Sequence, residues 1–172
     1  MKKILILFFV LTIILSVCGC NQAEHPFLAY QNEDFEAKGT LSVNGEKYSV
    51  LLTKKTDVYK LEYLSPDTLK GVSIEKNNDG FFYKVGSITL PISEQANVSA
   101  RLPSFFNLTK QELVSTRADT VNGAKVQLAN FKKDDIDINI VLSKQTDLPL
   151  RFEATANGSN IIFNISEFKI AP

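Results

Sequence analysis

The sequence predicts a mainly β protein of the α+β class, an antiparallel sheet of about ten strands with a short helical insert over its apolar face. Three observations predict this fold. Apolar and polar residues alternate over most of the chain after Phe35, which is typical of strands with one buried face. Turn sequences containing Asn, Asp and Gly separate the alternating segments. Residues 93–109 break the alternation and have helical spacing instead.

The alternating segments place apolar side chains two residues apart, and therefore on one face of each strand. In chain order, their apolar positions fall within residues 48–52, 59–63, 72–74, 81–85, 88–90, 126–128, 136–142, 148–152 and 161–165. Large residues dominate the set. The side chains expected on the inner, apolar face are Tyr48, Val50, Leu52, Tyr59, Leu61, Tyr63, Ile138, Ile140, Leu150 and Phe152.

The turns between these segments favour hairpins. Asn, Asp and Gly tolerate the positive φ that tight hairpin turns require. Short strands joined in this way predict an antiparallel meander. The turn sequences are Asn44-Gly45, Asn78-Asp79-Gly80, Asn122-Gly123 and Asn157-Gly158.

The segment 93–109 is the expected cover of the sheet. Pro103 can start a helical turn, and an apolar sheet face must be covered by another element. Its apolar residues can be interpreted as a gate over a ligand pocket, or as a plug that fills the pocket and becomes ordinary core. These cover and candidate ligand residues are Leu102, Phe105, Phe106 and Leu108.

The first 19 residues have the pattern of an export signal. Lys2 and Lys3 precede about 14 almost unbroken apolar residues, whereas a membrane span needs roughly 20. The sequence Val17-Cys18-Gly19-Cys20 then resembles the bacterial lipobox. Because Gly19 is small and Val17 is bulky, Cys20 fits the lipidated position and Cys18 does not.

We therefore divide the chain into a lipoprotein signal peptide (1–19), a lipidated tether or spacer (20–33) and one domain (34–172). This division predicts a protein anchored by palmitate-like acyl chains to the outer face of the cell membrane. Two alternatives remain, an uncleaved N-terminal anchor and an ordinary cleaved secretion signal in which Cys20 is incidental. Both still export the domain.

Composition limits the partners. Removal of residues 1–19 leaves 153 residues, which suits one domain, with 17 basic and 19 acidic side chains. Nucleic-acid binding requires a basic face, and this balance predicts none.

The chemistry-bearing residues favour a binding protein over an enzyme. The only histidine, His25, falls in the spacer, and acylation would consume Cys20, so neither a Ser-His-Asp nor a Cys-His site is predicted. We expect no cofactor. Three carboxylates, Glu62, Glu75 and Glu153, alternate with apolar residues, which favours solvent-facing positions over an acid-base site.

One acidic cluster has two interpretations. Asp134, Asp135 and Asp137 could supply oxygen ligands to a calcium ion. Asp135 and Asp137 also alternate with Ile136 and Ile138, and this alternation favours a solvated strand face and no metal site.

Two segments carry a resemblance to a known family. Residues 34–91 include a strand that ends in a Pro-containing turn and returns through Leu69-Lys70-Gly71, and residues 147–170 begin with a Leu-Pro-Leu sequence before a hairpin. Both are similar to the half-barrel domain of the bacterial lipoprotein-sorting carriers, the LolA/LolB-like superfamily. The clostridial spore germination lipoprotein is a Gram-positive relative of the same kind.

The resemblance implies a curved half-barrel whose concave face carries the inner residues above. It implies a non-enzymatic envelope protein that binds a protein partner or an envelope component. The alternative is a carrier or sensor of lipid acyl chains in a concave apolar pocket. One departure is the short stretch before residue 34, where family members have a substantial covering helix and this chain has Pro26.

Overall fold

The computed structural model describes residues 26–93, 98–156 and 158–171. Four short 3-10 helices lie at Pro26–Asn32, Asp67–Leu69, Val98–Phe106 and Lys110–Glu112. The strands are β1 (Phe35–Val43), β2 (Glu46–Lys55), β3 (Val58–Ser65), β4 (Val72–Asn77), β5 (Gly80–Val85), β6 (Ile88–Ile92), β7 (Leu113–Val121), β8 (Ala124–Lys133), β9 (Ile136–Ser143), β10 (Pro149–Ala156) and β11 (Ser159–Ile170).

These strands form one open antiparallel sheet. Their spatial order is β6-β5-β4-β3-β2-β1-β11-β10-β9-β8-β7, so two meanders meet at the β1–β11 pair and leave β6 and β7 as the edges. The predicted antiparallel sheet is confirmed, with eleven strands where about ten were expected. Strand β7 lies outside the predicted alternating segments, because it has no apolar alternation and is almost entirely exposed.

The β1–β11 pair is the seam between the two meanders. Its register runs from Phe35 opposite Ile170 to Val43 opposite Ile161, with an irregularity between Lys38 and Gly39. At Gly39 the β11 backbone passes so close that an added Cβ would overlap the carbonyl oxygen of Asn164. Glycine is therefore required at this seam because only a residue without a Cβ lets the two backbones approach.

The inner face of the sheet is the face that carries the buried side chains and the cover. The predicted cover is confirmed as a nine-residue 3-10 helix, Val98–Phe106, with Pro103 inside it and not at its start. It supplies Leu102, Phe105 and Phe106 to the same core cluster as the inner strand residues. In the chain, the cover helix follows β6 and precedes β7. In space it crosses the sheet, so one element covers both meanders.

The predicted spacer is too long at its C-terminal end. Residues 26–32 form a 3-10 helix in which Tyr30 is only 3% exposed and packs edge-on against Phe35, Phe106 and Phe168. Pro26 occupies the first position of this helix, where its missing N–H costs nothing. The helix therefore belongs to the domain and contributes to its core.

No helix among residues 26–93, 98–156 and 158–171 is long and apolar enough to cross a membrane. Cys18, Cys20 and His25, on which the predictions of lipidation and of an uninvolved histidine depend, lie outside these ranges.

Candidate binding surfaces

The four predicted cover residues are core residues. Leu102, Phe105, Phe106 and Leu108 are all buried. The Phe106 ring stacks at a tilt on Phe152, with ring centroids 4.1 Å apart, and lies 5.3 Å from the ring of Phe35. These contacts join the cover to strands of both meanders. Among the described residues of the cover, this packing favours the plug interpretation over the gate.

Most of the predicted inner-face residues lie where the alternation placed them. Val50, Leu52, Tyr59, Leu61, Tyr63, Ile138, Ile140 and Phe152 are buried in the core cluster, and Tyr48 is half-buried against it.

Leu150 is the exception, since 41% of it is exposed. The register of β10 against β9 shifts between Pro149 and Arg151, and this irregularity adds one residue to the strand. The added residue reverses the alternation, so that Pro149 and Phe152 are buried and Leu150 faces solvent.

Three buried tyrosines carry hydroxyl groups within this apolar interior. Burial raises the pKa of Tyr30, Tyr59 and Tyr63, and it is the largest cause for each. The Tyr59 hydroxyl donates to the Phe106 carbonyl oxygen over 3.4 Å, and the Tyr63 hydroxyl bonds Ser99 of the cover helix. The three phenols are neutral at physiological pH, and those of Tyr59 and Tyr63 hold the cover to the sheet.

The carboxylates considered for catalysis lie on the outer face of the sheet in two separate grooves. Glu62 and Glu75 line a groove of about 310 Å³, where Glu62 is salt-bridged to Lys60 and Glu75 to Lys84, each at 2.7 Å. Glu153 lies on the other meander, in a groove of about 290 Å³, and is paired with Arg151 at 2.7 Å. The structure does not bring the three together.

The acidic cluster also spreads apart. Asp134 lies in the β8–β9 turn with φ of 52°, and the exposed Asp137 pairs with Lys132 at 3.5 Å. Within the described part of the chain, no group of three or more His, Cys, Asp or Glu side chains could hold a metal ion.

One part of the inner face is apolar yet exposed. On the β5–β6 hairpin, Val85 pairs with Ile88 and Tyr83 pairs with Leu90, while on the next strand Val72 and Ile74, which pair with Val85 and Tyr83, are buried. The exposed fractions are 42% for Val85, 59% for Ile88 and 53% for Leu90. We call Tyr83, Val85, Ile88 and Leu90 the hairpin surface.

The size of the cover explains why the hairpin surface is exposed. Nine residues of 3-10 helix span about 18 Å at roughly 2.0 Å per residue. Eleven strands about 4.8 Å apart make a sheet about 50 Å across. The cover therefore reaches the middle of the sheet and not its edges. The sequence alternation identified Ile88 and Leu90 as strand residues. Their exposure could have been predicted only from the limited reach of the cover.

No family model matches the sequence, and no curated protein matches it. Solved structures do match its fold. A conserved uncharacterized protein from Thermus thermophilus is 11% identical, with a TM-score of 0.54 over 85% of this chain and 83% of that protein. The LolA superfamily protein NE2245 from Nitrosomonas europaea is 8% identical, with a TM-score of 0.47 over 85% of this chain and 92% of that protein.

MucB in the Pseudomonas aeruginosa MucA/MucB complex is a further match, 14% identical with a TM-score of 0.44. The match covers 86% of this chain and 55% of the matched chain. Structures described as LolA superfamily and lipoprotein-sorting proteins are therefore among those that match this chain. The Thermus protein, with the TM-score above 0.5, shows the shared fold and nothing about activity.

Proposed function

We propose that this protein is a lipid-anchored binding protein of the cell envelope without catalytic activity, and that it binds a protein partner through the hairpin surface. The observation that carries the proposal is the contrast within the described part of the inner face, which has closely packed, buried side chains at its centre and exposed apolar side chains at β5 and β6. Contiguous exposed apolar side chains of this kind are typical of interaction sites.

The filled centre supports partner binding over acyl-chain carrying. A carrier must accommodate a long chain beneath the cover, and the cover residues Phe105 and Phe106 already occupy that side of the sheet as core. Displacing the Phe106 ring to admit a ligand would cost its packing against both meanders.

The charges around the hairpin surface favour a protein over a lipid surface as the occupant. Lys84 is the only charged residue among residues 80–92, and it is salt-bridged to Glu75 at 2.7 Å. A membrane-binding surface normally adds several lysines or arginines that attract anionic headgroups. An apolar surface that is depleted of charged residues is instead typical of the centre of a protein interface.

The predicted anchor would place the partner at the membrane surface. Between Cys20 and the 3-10 helix that starts at Pro26 there are five residues, which can span at most about 18 Å. The domain would therefore remain close to the bilayer, where several acyl chains on Cys20 hold durably.

The anchor is tested with Cys20→Ser in the full chain. We expect Cys20→Ser to abolish incorporation of labelled palmitate and to release the protein from the membrane fraction, because no second cysteine fits the lipobox. Cys18→Ser is the matched control and should change neither measurement. Equal palmitate labelling of both variants would rule out the anchor and leave the binding surface untouched.

The hairpin surface is tested by photo-cross-linking on intact membranes. Leu90→Cys in the full chain, coupled to a benzophenone maleimide, should give one discrete protein adduct, and adding Ile88→Asp should reduce it at least about tenfold, since a buried charge is costly. Thr89→Cys is the control, because Thr89 is exposed on the opposite face of the same strand.

Two results would contradict the assignment of this surface. Equal adducts from Leu90→Cys and Thr89→Cys would mean that labelling reflects exposure and not binding. Adducts consisting of lipid alone would make the bilayer the occupant of the hairpin surface.

A further inference from the structure

The second edge strand, β7, has little of the usual protection against edge pairing, because its register irregularity lies at one end, between Leu113 and Ser115, and its two charges, Arg117 and Asp119, are of opposite sign. It is nine residues long, contains no proline or lysine, and residues 114–121 are all exposed. The opposite edge, β6, has only five residues and includes Pro91. Natural edge strands are normally kept short or carry proline, lysine or an inward charge, because their free N–H and C=O groups pair readily with other strands.

The charges on β7 are arranged for pairing with an antiparallel copy of the same strand. Arg117 and Asp119 lie on the outer face on either side of Ala118, with Arg117 Nη2 3.8 Å from Asp119 Oδ2. Both side chains are largely exposed, at 72% and 45%. In a two-fold pair centred on Ala118, each Arg117 lies opposite the Asp119 of the second copy, and the pairing forms two reciprocal ion pairs.

Other registers lack this complementarity. A pair that keeps both inner faces on one side of the joint sheet must be centred on a residue, since opposite side chains share a face. Centring on Arg117 places arginine opposite arginine, and centring on Asp119 places aspartate opposite aspartate. Like charges directly opposite one another are destabilising. Centring on Ala118 also sets Thr116 opposite Thr120, a favourable pair on the inner face.

We propose that two copies of this protein pair through β7, antiparallel and centred on Ala118, and form a two-fold dimer with one continuous sheet. The second copy is the occupant because the charges of β7 are complementary to those of an antiparallel copy of the same strand when the pair is centred on one residue. An isologous interface requires this self-complementarity. The hairpin surfaces then lie at the two far ends of the joint sheet and stay available to partners.

Disulfide trapping in the full membrane-bound chain tests the register. Ala118→Cys should give a covalent dimer under mild oxidation, because directly opposite residues have Cα atoms about 4.5–5.5 Å apart, within reach of a disulfide. Thr116→Cys is the matched control. It faces Thr120 of the second copy, and the two substituted residues lie about 13 Å apart along the strands, too far to bridge. The wild-type chain gives the background from Cys18 and Cys20.

A charge exchange tests the ion pairs independently. Arg117→Asp and Asp119→Arg should each weaken dimerisation of the detergent-solubilised full chain about tenfold or more, measured by sedimentation equilibrium, because each turns two attractions into repulsions. The double exchange should restore it.

Three results would overturn the proposal. They are a monomer across the concentration range, equal trapping of Ala118→Cys and Thr116→Cys, and a double exchange as weak as the single variants. Thermal unfolding of each variant confirms that the fold is intact, which is expected because every substituted residue is exposed.

Discussion

The two edges of this sheet differ from each other, and both differ from its centre. At β5 and β6 the inner face is apolar and exposed, while the edge strand itself is short and contains Pro91. At β7 the side chains from Val114 to Val121 are exposed on both faces, and the backbone edge is long and free of proline. At the centre, aromatic rings from the cover and both meanders pack together.

The comparison separates stability from binding. The centre holds the two meanders together through core packing and the seam, so substitutions there should unfold the domain. The edges lie beyond the reach of the cover and contribute little burial, so substitutions there should change association and leave the fold intact. The predictions below measure this difference, beginning with the largest expected effect.

Phe106→Ala should lower the free energy of unfolding by about 3–5 kcal/mol, since it removes a fully buried ring that contacts both meanders. Leu90→Ala at the exposed hairpin surface should change it by less than about 0.5 kcal/mol. Urea unfolding followed by circular dichroism measures both. Similar losses of unfolding free energy in the two variants would contradict the distinction between centre and edge.

Gly39→Ala should cost about 1–3 kcal/mol, because the new methyl group meets the Asn164 backbone and the seam must separate to admit it. Thr40→Ala, at the exposed neighbouring residue on β1, should be nearly neutral in the same unfolding measurement. If Gly39→Ala were as well tolerated as Thr40→Ala, the two backbones would not approach each other at the seam as closely as the structure shows.

Glu112→Gln should have the smallest effect, about 0.5–1 kcal/mol at pH 7. Burial alone would raise the pKa of Glu112, but hydrogen bonds from the Thr109 N–H and hydroxyl and the ion pair with Lys133 together lower it. A lowered folded-state pKa stabilises above the unfolded value of 4.5, and this stabilisation is lost as the pH falls through the folded-state pKa.

The gap in unfolding free energy between wild type and Glu112→Gln should therefore be constant near neutral pH and close in acid. Glu36→Gln, at an exposed residue on β1, is the control and should show no such gap. A gap for Glu112→Gln that persists unchanged in strong acid would mean that the carboxylate charge contributes nothing.

Much of the fold could be predicted because one-sided burial leaves a simple period of two in the sequence. The cover was predictable from the same period of two. A segment that interrupts this period between apolar strands indicates an element other than a strand. Strand β7 could not be found in this way, because a strand with both faces solvated carries no apolar period.

The errors within the candidate site have local causes. A single added residue between Pro149 and Arg151 reversed the face of Leu150, and irregularities of this kind leave no pattern in the alternation. The helix at Pro26–Asn32 was missed because one short 3-10 helix carries no apolar alternation, although its Leu28 and Tyr30 pack in the core. The exposure of the hairpin surface could be predicted only from the width of the sheet. That width is known only when all strands are counted.

The seam also sets when the domain can be completed during synthesis. Asn160 N donates a hydrogen bond to Asn44 Oδ1 across 116 residues, and the Ser166 hydroxyl donates to the Lys38 carbonyl oxygen across 128. Each meander can form as its own hairpins leave the ribosome, but β1 must wait for the last strand of the chain. A nascent chain that stalls before residue 159 would leave β1 as an unprotected edge in the middle of the future sheet, and such intermediates are prone to aggregate.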